Sequence, residues 1–216
     1  MRFPNALEGV KKIYKAEIIA LVAAVVGVVA SIIALAGLSS GTTGGAVGAA
    51  GAGVLLIAVA VLLFIAFIMN ILGLNKAKPD EVNFKNALYC VFIGIIASIV
   101  LGAAKDGSFL KELGDTASKI CSFLTTYYVC TAIISLAEKL ENREMAERGQ
   151  KARKLLMTVW VISIVISVLG IIFNAIGGTA IAVVAALLAL AASVIEIIAY
   201  ILYLKLLSKS RAMLEA

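Results

Sequence analysis

No charged residue occurs between positions 18 and 75, or between 155 and 195. Each run is long enough for two bilayer crossings at roughly 20 residues apiece. A soluble helical core is excluded on composition as well. The chain is 62% apolar and only 15% charged, too little polar surface to cover a water-exposed fold, where about 25% charge is usual.

A small-residue pattern recurs in three of the apolar segments. It is Gly27/Ser31 in VGVVASII, Gly94/Ser98 in IGIIASIV and Ser163/Ser167 in ISIVISVL. The copies lie 67 and 69 residues apart. A polar-basic pair follows nearly the same period: Asn75-Lys76, Asn142-Arg143 and Ser210-Arg211. The expected fold is an all-α integral membrane protein. Six transmembrane helices form three repeated helical hairpins, over about 1–75, 76–142 and 143–216, in a single domain. The spans fall at 18–38, 53–74, 86–104, 119–138, 155–175 and 179–205. The first apolar run is too long for a cleaved signal and repeats the third helix, so it reads as a retained span. The glycine-rich stretches at 37–45 and 174–178 mark the first and third hairpin turns.

Basic residues orient the chain. Sixteen of the 19 Lys and Arg fall in the two tails and the loops after spans two and four; Lys105, Lys111 and Lys119 fall on the other side. That bias predicts a multi-pass protein of a bacterial plasma (inner) membrane with both termini cytoplasmic. Cationic side chains at the inner edge should attract anionic lipid head groups. Because they line membrane edges rather than one patch, no nucleic acid is expected as partner. After span four, Glu144/Arg148 and Glu147/Lys151 pair at i, i+4 on a projecting helix, with Gly149 as its stop.

In lipid, helices associate through close packing and interhelical hydrogen bonds. Gly27, Ser31, Gly94, Ser98, Ser163 and Ser167 are therefore the expected packing positions. Either spans one, three and five meet near a pseudo-threefold axis, or each stripe packs within its own hairpin.

One acid stands deep in a span, Glu196, so it is a functional candidate by default. Ser193, Glu196 and Tyr200 share a helical face. Repeat offset and depth place Tyr127, Tyr128, Thr131 and Ser163 at its level. These seven residues form a candidate intramembrane polar cluster, either a proton or cation relay or a packing contact. Asn70 reads as a packing hydrogen bond. Cys90, Cys121 and Cys130 lack metal-ligand spacing and read as small apolar side chains. There is no histidine, which removes Cys-His and Ser-His nucleophile systems; no cofactor or metal is expected. The chain reads as a non-catalytic scaffold or accessory subunit binding a partner protein, a second copy of itself or lipid. The runner-up is a small transporter or channel with Glu196 as the proton- or cation-handling group.

Overall fold

Six helices follow one another: α1 (Pro4–Ser40), α2 (Thr43–Ala77), α3 (Val82–Gly102), α4 (Phe109–Lys139), α5 (Arg143–Ile176) and α6 (Thr179–Glu215). The computed structural model describes residues 2–40, 43–102, 109–176 and 179–215, with side chains described outside 35–50, 102–113, 115, 166–194 and 196. Among these residues there is no strand.

The helices run past the predicted spans because their ends are capped by neighbours. α1 starts at Pro4, whose missing N–H is not needed in a first turn. Asp80, between α2 and α3, accepts from the Ala6 backbone N–H (2.7 Å) and from the Asn5 side-chain amide (3.0 Å). A distant loop thus fastens the start of α1.

The α4–α5 corner is built from two motifs in series. Glu141 has a positive φ of 56°. The Asn142 N–H reaches the Ala137 carbonyl and the Glu141 N–H that of Glu138, the paired bonds of a Schellman ending. Asn142 then caps α5 by accepting from the Met145 N–H (3.0 Å).

α5 corrects one expectation. Gly149 does not stop a helix; α5 continues from Arg143 to Ile176. A Cβ at Gly149 would lie 2.5 Å from Ile134 Cγ1, so this glycine serves close approach of α5 to α4. The ion pairs on this segment are Glu144–Arg148 and Arg143–Glu147 rather than Glu147–Lys151.

Each helix packs on the next, and α6 returns to α1, so the bundle closes as a ring in chain order; α4 also touches α6. Among the described residues α1 makes no contact with α3, nor α3 with α5. The odd-numbered helices therefore do not converge on an axis, because each packs on its sequence neighbours. The tightest crossing joins α1 and α2. A Cβ at Gly9 would lie 2.5 Å from the Gly73 carbonyl oxygen, and one at Gly73 would lie 2.8 Å from the Gly9 oxygen.

The packed core sits at the charged end. Val10, Ile13, Leu74, Phe84, Ile133, Leu136 and Leu207 are fully buried there. Glu81, also buried, accepts from Ser135 (2.9 Å), Lys139 (2.5 Å) and Asn83 (2.9 Å). Farther along, large apolar side chains face outward at helical spacing: Val25, Val28 and Ile32 on α1, Ile93, Ile96 and Val100 on α3. Ile57 and Ile99 are 68% exposed. Contiguous apolar faces of this kind suit lipid rather than water. Pro4–Ala34, Gly51–Ala77, Val82–Leu101 and Thr116–Lys139 are long and apolar enough to cross a membrane. The chain is an all-helical membrane protein.

Candidate functional site

A half-open cavity of about 490 Å³ lies between α1, α2, α3, α4 and α6. On α3 it extends from Cys90 to Ile99, about 14 Å at 1.5 Å per residue. Its wall is mostly apolar, with Leu63, Phe67, Val91 and Ile95 among the lining residues.

Glu17 is the one charged residue lining the cavity among the described residues. It is held from two sides. The Tyr200 hydroxyl lies 3.0 Å from Glu17 Oε2 and 2.9 Å from the Glu17 carbonyl oxygen, and can donate to either. The Asn70 amide nitrogen donates to Glu17 Oε1 at 3.4 Å. Asn70 Oδ1 is buried and has no hydrogen-bond partner among the described residues. No cation pairs with the Glu17 carboxyl among the described residues. A buried acid needs either a partner or a proton, and here α2 and α6 supply only neutral groups.

α1 sets the depth of this group. Val10, Ile13, Glu17 and Ala20 recur at steps of three and four, on the stripe that faces the bundle. Ile13, one turn nearer the charged end, belongs to the packed core. Glu17 thus stands where the apolar core ends and the cavity begins.

α4 lines the opposite wall with hydroxyls. Thr125 Oγ1 donates to the Cys121 carbonyl (2.8 Å) and Thr126 Oγ1 to that of Ser122 (3.3 Å). These bonds within one helix occupy the protons and leave oxygen lone pairs for the cavity. Ser98 Oγ donates to Ser118 Oγ at 3.1 Å, joining α3 to α4. The polar character of the fourth span is therefore a lining.

Five of the seven residues of the predicted cluster have described side chains. Tyr200 binds Glu17, the residue just before the predicted first span. Tyr127 and Tyr128 stand edge-to-face at 5.8 Å. Tyr127 lies under the Arg153 guanidinium at 5.7 Å, and Thr131 Oγ1 donates to the Tyr127 carbonyl. Ser163 is half-buried on α5. The side chains of Glu196 and Ser193 lie outside the described residues, as does that of Ser167.

Of the packing positions, a Cβ at Gly27 would lie 3.8 Å from Val59 Cγ1, an ordinary contact distance, and Ser31 Oγ donates to the Gly27 carbonyl of its own helix. A Cβ at Gly94 would lie 3.1 Å from Cys121 Cβ, a close approach to α4. Trp160 stacks on Phe123 at 4.9 Å. The three cysteines are free thiols.

Fold and site together define the class: a helical membrane protein with a half-open, acid-bearing cavity between its helices. No family model, no curated protein and no solved structure matches the chain.

Proposed function

We propose that the chain is a non-catalytic six-span membrane protein that takes up a small cationic solute or proton: a small transporter or channel. The observation that carries this reading is the cavity with a carboxyl at one end that no cation neutralises among the described residues. It assigns a handling role to Glu17. The expected handling role of Glu196 stands beside it, on a side chain outside the described residues. The hairpin repeats draw support from the strong pairing of α1 with α2 and of α3 with α4. The charge bias places both termini at the cytoplasmic face of a bacterial plasma membrane, where the basic edge attracts anionic lipid.

Below Glu17 the core is closed by Ile13, Leu74, Phe84 and Leu207. The cavity is therefore read as open away from the charged end. Ser122→Cys, in a background lacking Cys90, Cys121 and Cys130, tests this in sealed vesicles. An impermeant thiol reagent is expected to label it rapidly from the outer face alone. No labelling from either face would remove the aqueous route and with it this reading.

The accessory-subunit reading rests on a different feature. A groove of about 280 Å³ at the charged end is lined by Met145, Arg148, Lys209 and Met213, residues suited to an adaptable protein contact.

A further inference from the structure

The cavity also says what kind of solute fits. We infer that it binds an organic monocation with an apolar body, an amphiphilic ammonium, with the charged head at Glu17. This rests on the solute-handling reading above and adds the ligand class.

The charge follows from the carboxyl. Glu17 has neutral partners on both sides, Tyr200 and Asn70, and no cation among the described residues. A ligand ammonium would supply the missing charge. Its N–H groups would meet the Glu17 carboxyl oxygens. A Glu17 carboxylate repels an anion, so an anionic ligand is disfavoured.

The single charge follows from the inventory. Among the described residues, no three His, Cys, Asp or Glu side chains gather to hold a metal ion. A hard divalent cation takes about six oxygen ligands with carboxylates among them, and one carboxyl here falls short of that.

The apolar body follows from the wall. At about 490 Å³ the cavity falls in the size range of small-molecule sites, roughly 300–1,000 Å³. Leu63, Val91, Ile95 and Ile99 offer aliphatic surface, and Phe67 offers a ring. A small hydrated ion would leave this surface without contact.

The test uses the full chain in lipid discs of uncharged phosphatidylcholine and the probe 4-phenylbutylammonium, followed by titration calorimetry. Saturable binding at one site is expected, weakened at least tenfold by Glu17→Gln. 4-Phenylbutanol, of the same shape without the charge, should bind at least tenfold more weakly. Equal binding of alcohol and ammonium to the wild-type chain overturns the inference, and does so even if Glu17→Gln fails to fold. Equal binding by a folded Glu17→Gln protein overturns it as well. Absence of ammonium binding alongside one-sided labelling of Ser122→Cys overturns the ligand class alone. Absence of both removes the solute-handling reading too.

Discussion

Gly9→Leu is expected to destabilise the bundle by about 3 kcal/mol or more. Overpacking a closed contact typically costs about 1–3 kcal/mol, and more when rigid atoms must move. Here the Cβ alone would stand 2.5 Å from the Gly73 oxygen and 2.6 Å from Ala77 Cβ. Both belong to the facing helix, so α1 and α2 must separate. Separation at this point also pulls on the Asp80 cap of α1. Gly73→Leu should behave alike, since its Cβ would meet the Gly9 oxygen and Ile13. Gly27→Ala is the control. Its methyl would meet Val59 at 3.8 Å, and removing a glycine from a helix gains about 0.5–1 kcal/mol. Thermal unfolding in detergent, followed by circular dichroism, should therefore move in opposite directions for positions 9 and 27.

Glu81→Gln is expected to cost about 2 kcal/mol at neutral pH. Removing one partner of a fully buried ion pair costs about 3–5 kcal/mol. The Lys139 side chain is 47% exposed, so water recovers part of that. The effect carries a pH signature. Burial pushes the Glu81 carboxyl up, but the Lys139 ammonium, the Ser135 hydroxyl and the Asn83 amide outweigh it and hold the group below its ordinary value. A group lowered on folding stabilises the fold above its unfolded value, and that stability is lost as pH falls through the lowered folded value. The difference in melting temperature between wild type and Glu81→Gln should be largest near pH 7 and shrink on acidification. Glu215, lowered by Lys11 at the surface, is present in both proteins and cancels. A difference that does not change with pH would mean that the Glu81–Lys139 pair contributes by shape alone.

Helical class and membrane location were legible in the sequence because they rest on long-range composition. Residues 18–75 cannot leave the bilayer often without a charge to mark the exit. Helix ends were less legible, because their caps come from far along the chain: nothing near Pro4 announces Asp80. Gly149 looked like a stop for the same reason, since its purpose lies in Ile134 of another helix. Glu17 was missed because it follows Lys15 by two residues and so reads as the last charge outside the membrane. The signal that finds it is the stripe Val10, Ile13, Glu17, Ala20, on which an acid is out of place. Asn70, read as a packing hydrogen bond, makes that bond to Glu17. Tyr200 was placed in a polar cluster, and its partner proved to lie 183 positions away, a separation that no local pattern encodes.

The claim at the centre of this account is that Glu17 receives a cation within the membrane. Charge entering such a site moves through part of the membrane field and is recorded as a current. Vesicles containing the full chain, adsorbed on a solid-supported membrane, are given a jump in pH or in 4-phenylbutylammonium. The account predicts a transient current that is present in wild type, retained in Ser31→Ala and abolished in Glu17→Gln. Currents of equal size in wild type and Glu17→Gln, or no current beyond that of protein-free vesicles, would contradict it.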